Sequence, residues 1–259
     1  MILDDIVEKV KERVEIRKET VSFLEMKKEA ERLPKSTYSF EKKLKEEGIH
    51  FICEVKKASP SKGIIDEEFP YIQIAREYEQ AGASCISVLT EEDFFLGSNE
   101  YLKEIKKTVT VPILRKDFII DPYQIYESKV LHADCILLIC SVLTKAQLKE
   151  YIEISDTLGL SVLVEAHDEE EIDKALSTGS RMIGVNNRNL KTFQVDINNS
   201  LKLRKLVPSD ILFIAESGIQ TREDVALLEE HGVNGVLVGE TLMRAINKSQ
   251  MLKELKGIV

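Results

Sequence analysis

The sequence has no tryptophan, only four histidines and only four cysteines in 259 residues. The histidines, His50, His132, His167 and His231, never stand at i, i+4 from another histidine or a cysteine, which argues against a metal site. Cys53, Cys85 and Cys135 lie inside apolar runs and Cys140 just after one. They read as buried free thiols rather than disulfides or a metal set, and so predict a reducing, cytoplasmic setting. No apolar run approaches the roughly 20 residues that a membrane-spanning helix needs. The opening MILDDIVEKVKERVEIRKE carries acids at once and has no apolar centre, which excludes a signal peptide. An excess of positive charge is also missing: the net charge is −9, with no basic tail. Nucleic acid is therefore not expected as a partner. A phosphorylated small molecule remains open, because a local field can oppose the global sign. The G-x-x-x-x-G-K-[ST] loop and the G-x-S-x-G elbow are both absent.

What is present is a regular alternation. Ile2, Ile6, Val10 and Val14 recur at helical spacing, so residues 1 to about 45 read as helix, broken around Leu33, Pro34, Ser36 and Thr37. A short helical piece follows from Phe40 to Glu47. Then come eight short apolar runs, starting at Phe51, Ser84, Val111, Asp134, Ser161, Arg181, Ile211 and Asn234. Helix-like sequence separates them, and several of those helices stop at a glycine: Gly82, Gly159, Gly179 and Gly232. Eight strands alternating with helices predict a (β/α)8 TIM barrel over residues 1–259, with residues 1–48 as an N-terminal helical extension. A doubly wound open sheet is the alternative. It is disfavoured because no G-x-G-x-x-G follows the first strand.

Barrels of this kind work at the C-terminal ends of their strands. Ile52, Glu54 and Lys56 share one face of the first run, because side chains alternate along a strand. The third run ends in Lys116, the fifth in Glu165, the sixth in Asn186, the seventh in Glu216 and the eighth in Gly239. Any one of these could be a charge satisfied by its neighbours. Six polar residues at five strand ends together point to chemistry, since charges are rarely buried without pairing or function. Ser217-Gly218 and Gly239, the latter before ETLMRAI, fit the phosphate-binding loops after strands seven and eight. The loop Ser59-Pro60-Ser61-Lys62-Gly63 could cover the same anion. The bland reading of these glycines is tight turns.

These residues, in this order, resemble the indole-3-glycerol-phosphate synthase family along nearly the whole chain. The segment from Glu54 to Gly63, E-V-K-K-A-S-P-S-K-G, looks like that family's first-strand signature. Ser87–Glu91 (SVLTE), Pro112–Phe118 (PILRKDF), Leu163–Glu165 (LVE), Ile183–Leu190 (IGVNNRNL), Ala215–Ile219 (AESGI) and Leu237–Gly239 (LVG) look like its other fingerprints. The resemblance implies ring closure, with loss of carbon dioxide and water, of 1-(2-carboxyphenylamino)-1-deoxyribulose 5-phosphate. By that resemblance Lys116 matches the general acid, Glu165 the general base and Lys56 a residue meeting the substrate carboxylate. Glu54 would orient the lysines, and Asn186 and Glu216 would hold hydroxyls or charges. Ser59, Ser217, Gly218 and Gly239 match phosphate positions, and Arg188 matches a residue near the substrate. Glu240, an oddity beside a phosphate, would contribute its backbone N–H while its side chain turns to solvent. Phe95, Phe118, Leu190 and Leu237 match the apolar pocket for the aromatic ring, or are core packing. Which lysine gives which proton stays open. No cofactor or metal is expected, and the assembly is expected to be a monomer or weak homodimer. The competing readings are a sugar-phosphate isomerase, a Schiff-base aldolase and a non-catalytic phosphate-binding barrel.

Overall fold

The computed structural model describes residues 2–189 and 193–258. Leu190 lies outside the described residues. Parallel strands close a barrel: β1 (His50–Val55), β2 (Cys85–Leu89), β3 (Ile113–Lys116), β4 (Cys135–Ile139), β5 (Ser161–Ala166), β6 (Met182–Asn186), β7 (Leu212–Glu216) and β8 (Gly235–Val238). Each bonds its sequence neighbours, and β8 returns to β1 with His50 opposite Gly235, which rules out the open sheet. Helices alternate with the strands: α4 (Tyr71–Gln80), α5 (Asn99–Lys106), α6 (Pro122–Val130), α7 (Lys145–Leu158), α8 (Glu169–Leu176), α9 (Asn198–Arg204), α10 (Arg222–Glu230), α11 (Glu240–Arg244) and α12 (Lys248–Lys256). Ahead of the barrel stand α1 (Ile2–Thr20), α2 (Phe23–Arg32) and α3 (Ser39–Leu44). Among the described residues no helix is long and apolar enough to cross a membrane.

Strand alternation sorts the side chains into two cores. Ile52, Cys85, Leu114, Cys135, Leu137, Leu163, Met182 and Ile214 fill the barrel, and Phe40 and Leu44 of α3 close its lower end. Phe51, Cys53, Val55, Ile113, Ile136 and Val164 face the helices. All four cysteines are buried and free. The alternation in β3 decides the chemistry. Leu114 points inward and Lys116 follows it to the barrel mouth. Arg115 points outward, fully buried, and bonds Thr90, Gln124, Ser128, Asp117 and Glu127.

The N-terminal segment differs from the expected single helix. It breaks at Val21–Ser22 as well as after Arg32, because Ser22 caps α2. The Ser22 side chain accepts from Glu25 N, and the Glu25 carboxylate accepts from Ser22 N. This is a capping box, written in the sequence as S-F-L-E. The first helix buries Ile6, Val10 and Val14, each contributing about 1.5–3 kcal/mol before chain entropy opposes it. Its polar side is tied to the barrel by Arg13 to Glu91 and Asp93, Arg17 to Glu92 and Glu127, and Lys18 to Asp121. The four glycines expected to stop helices all take positive φ. At Gly159 a side chain is also excluded by space, since a Cβ there would stand 2.0 Å from the Ser36 carbonyl oxygen.

Candidate active site

The polar strand ends converge. Asn186 at the end of β6 lies directly across from Glu216 at the end of β7, and Glu165 of β5 is opposite Gly184 of β6. Lys116 Nζ sits 3.2 Å from Glu165 Oε2 and 3.6 Å from Glu216 Oε2. Asn186 donates from Nδ2 to Glu165 Oε1 at 3.4 Å. On the other side of the mouth Lys56 Nζ donates to Glu54 Oε1 at 2.5 Å. The glycine at 184 makes room for this set, because a Cβ there would stand 2.2 Å from Glu216 Oε1.

Burial separates the charge states of the three groups around Lys116. Burial works against the Lys116 ammonium, but Glu165, Glu216 and Glu54 outweigh it and hold its pKa above the ordinary lysine value. Burial also works against the Glu165 carboxylate. The charges of Lys116 and His167, with the bonds from Lys116 and Asn186, outweigh that and keep Glu165 below the usual carboxylate range. Glu216 goes the other way. Burial, aided by the neighbouring Glu165 and Glu54 charges, pushes it up to about 8. Two carboxylates sharing one ammonium cannot both ionise cheaply in a dry site. The mouth thus holds an acid (Lys116), a base (Glu165) and a neutral carboxylic acid (Glu216) near pH 7. The Glu216 Oε1 atom is buried without a hydrogen-bond partner. Such atoms are uncommon in folded proteins, and this one is packed against Gly184.

Above these groups opens a cavity of about 590 Å³. Its lining includes Glu54, Lys56, Ser59, Phe95, Lys116, Phe118, Glu165, Asn186, Arg188, Glu216, Ser217, Gly218, Leu237, Gly239 and Glu240. Ser217 and Gly218 both adopt positive φ, 66° and 84°. For Ser217 this is strained backbone, held by Asn187 Nδ2 donating to its carbonyl at 3.1 Å. Successive left-handed residues turn backbone N–H groups into an anion-binding concavity. Gly239 leads into α11. A Cβ on it would stand 2.3 Å from Glu54 Oε1 and 2.9 Å from Lys56 Nζ, so this glycine also makes room for the β1 charge pair.

Glu240 departs from the sequence expectation. Its carboxylate does not turn to solvent but joins Lys62 at 3.4 Å, Arg188 at 3.4 Å and Arg244 at 3.2 Å. Three cations converge on one carboxylate because α11 starts at the rim, where the loop after β1 and the segment after β6 also arrive. Burial opposes the Glu240 charge, but Lys62, then Arg188 and Arg244, hold its pKa below the ordinary value.

One wall of the cavity is apolar. Phe95 and Phe118 rings lie 6.1 Å apart, and Leu237, Leu137 and Ile139 complete that side. Ile2, Leu3 and Ile6 of α1 also line the cavity. The Phe95 loop owes its shape to Glu91. This fully buried carboxylate accepts from the backbone N–H groups of Asp93, Phe94 and Phe95, while Arg13 of α1 holds it at 2.6 Å.

Sequence reasoning missed three parts of this site: α1 as a wall, Glu91 as the loop's organiser, and His167. The last carried a readable signal. His167 follows Glu165 by two residues and so shares its strand face.

A family model described as indole-3-glycerol phosphate synthase matches residues 3–255. An indole-3-glycerol phosphate synthase of Ruminiclostridium cellulolyticum is 60% identical, with 99% of each chain covered. One of Endomicrobium trichonymphae is 57% identical over 99% of this chain and 100% of its own. Among solved structures, a 3-hexulose-6-phosphate synthase from Salmonella typhimurium superposes with a TM-score of 0.66 at 14% identity, covering 81% of this chain and 98% of that one. At that identity the likeness concerns the barrel alone. With the family model spanning nearly the whole chain and full-length relatives above half identity, the chain belongs to the indole-3-glycerol phosphate synthase family, whose members are carboxy-lyases.

Proposed function

We propose that the chain closes the indole ring of 1-(2-carboxyphenylamino)-1-deoxyribulose 5-phosphate, with Lys116 as general acid and Glu165 as general base. The observation that carries this is Lys116 Nζ seated 3.2 Å from Glu165 and 3.6 Å from Glu216, beneath a cavity with one apolar wall. The ring carbon bearing the carboxylate attacks the ketone carbon, and Lys116 protonates the ketone oxygen. The carboxylate leaves as carbon dioxide and its bonding electrons restore the benzene ring. The new hydroxyl takes a second proton and leaves as water, while Glu165 removes a proton from the adjacent CH₂ as the five-membered ring becomes aromatic. Each turnover thus takes up two protons and gives back one. Positioned proton transfer of this kind contributes about 10²–10⁴-fold to rate.

The other roles follow the site's charge pattern. Lys56 meets the departing carboxylate and Glu54 orients it, while Glu216 donates a hydrogen bond to a substrate hydroxyl. Ser59, Ser217, Gly218 and the backbone of Gly239 take the phosphate, with Arg188 and Lys62 freed from Glu240 to face it. Phe95, Phe118 and Leu237 bracket the aromatic ring. The four buried thiols support a cytoplasmic enzyme, and a monomer or weak homodimer is the proposed assembly, checked by sedimentation.

Purified protein given this substrate in chelator-containing buffer should develop indole fluorescence, and Glu165→Gln should lose it. No fluorescence from the parent, with the substrate still bound, would overturn the reading. Gly239→Ala should lower kcat by about a hundredfold, because its methyl displaces the Glu54–Lys56 pair by about an ångström. Its thermal midpoint should stay near the parent's, since the displaced atoms are side-chain ends. An unchanged kcat would show that the pair's position is not critical.

A further inference from the structure

Resting on the proposed reaction, we infer that His167, anchored by Glu171, is the positioning residue of Glu165: its imidazolium orients the base and holds a proton beside it. His167 stands at the start of the segment joining β5 to α8. Its backbone N donates to Glu171 Oε2 at 2.8 Å, and its Nδ1 lies 3.1 Å from the same oxygen. A carboxylate oxygen there only accepts, so Nδ1 carries a hydrogen. The opposite nitrogen, Nε2, lies 3.4 Å from Glu165 Oε1 as an ion-pair contact and is buried without a hydrogen bond. A neutral ring with hydrogen on Nδ1 would point a lone pair at an ionised carboxylate. A proton between the two removes that conflict, and the imidazolium form supplies it as Nε2–H.

The surroundings favour that form. Facing His167 are Glu165 on β5, Glu171 on α8 and Glu216 on β7, with Lys116 on β3 beyond Glu165. Asp168 caps α8 at the next position, Cys140 Sγ contacts the Glu171 carbonyl, and Lys174 donates to the Cys140 carbonyl. Burial works against the His167 charge, but the Glu171 bond and the three carboxylates outweigh it and raise its pKa above the ordinary value. The sign follows: the imidazolium is present at low pH and is lost as pH rises through that raised value.

The location suits the proton balance. The proposed reaction imports one proton per turnover, and a bound substrate covers the mouth. Once Lys116 has given its proton to the substrate, Nε2–H breaks, its proton passes to Glu165 Oε1 and Glu165 returns one from Oε2 to Lys116 3.2 Å away, so Glu165 is again ionised and His167 is left neutral with hydrogen on Nδ1. Its Nε2 regains a proton from solvent when the product leaves the mouth.

The test combines turnover and titration on the full chain. His167→Ala should lower kcat by about tenfold to a hundredfold with KM nearly unchanged, since the base is misoriented but the phosphate site is intact. His167→Gln, which keeps an N–H donor but cannot titrate, should recover part of that loss and lack the His167 step on the alkaline side of the kcat profile. Glu171→Gln should move that step to lower pH. Imidazole NMR of the parent, assigned with His167→Gln, should place His167 above its ordinary pKa, and lower in Glu171→Gln. Parent-like kcat and pH profile in His167→Ala, or a His167 titration indifferent to Glu171→Gln, would overturn the inference. A parent that makes no indole would instead sink the proposed reaction, and the NMR titration would still decide the Glu171–His167–Glu165 pairing.

Discussion

Lys116→Ala should lower kcat by about a thousandfold, the loss of roughly 4 kcal/mol of transition-state stabilisation. Two effects act together. The ammonium that would protonate the ketone oxygen is gone. Its removal also leaves Glu165 and Glu216 facing each other across the mouth with no cation 3.2 and 3.6 Å away, so Glu165 becomes harder to ionise and a weaker base. The phosphate end should still bind, because Ser217 and Gly218 are shaped by Asn187 and their own backbone rather than by Lys116. Titrating the variant with indole-3-glycerol phosphate alongside the turnover assay separates the two. Activity within about tenfold of the parent would remove Lys116 from its role.

Arg115→Met should have the largest effect on stability, about 3–5 kcal/mol. The arginine is fully buried and donates to Asp117, Glu127, Thr90, Ser128 and the Gln124 carbonyl. Methionine fills the volume but leaves the Asp117 and Glu127 carboxylates without their shared cation. Arg17 of α1 reaches Glu127 from the other side and softens the loss without replacing it. A chain of this size loses about 2–4 °C of thermal midpoint per kcal/mol, so a drop of about 10 °C is expected by circular dichroism. An unchanged midpoint would mean that Arg115 is replaceable packing.

These neighbouring residues also mark what the sequence could convey. Strand alternation in PILRK places Lys116 at the mouth, and in FICEVK it places Glu54 and Lys56 on the inward face, so the charged centre was legible from local geometry. The outward partner of Lys116 was not. Arg115 needs carboxylates from α6 and the loop after β3, and long-range pairing leaves no local pattern. The role of α1 was half visible. Its apolar stripe predicted packing, but not that Ile2, Leu3 and Ile6 would reach the cavity or that Arg13 would hold Glu91 beneath the Phe95 loop. The break at Ser22 was written as a capping box inside an otherwise uniform helical pattern. Glu240 shows the opposite limit. Its short-range context suggested a solvent-facing side chain, whereas Lys62 and Arg188 from distant segments, with Arg244 one turn along α11, draw it in. Leu190, expected in the ring pocket, lies outside the described residues.

The central claim is that ring closure, decarboxylation and dehydration occur together at the Lys116–Glu165 pair. It is tested most directly by single-turnover analysis of substrate labelled at the carboxylate carbon, measuring labelled carbon dioxide and indole product in the parent and in Glu165→Gln. The account predicts equal amounts of the two products from the parent and almost no indole from the variant. Indole formed equally well by Glu165→Gln, or labelled carbon retained in a product of the parent, would contradict it.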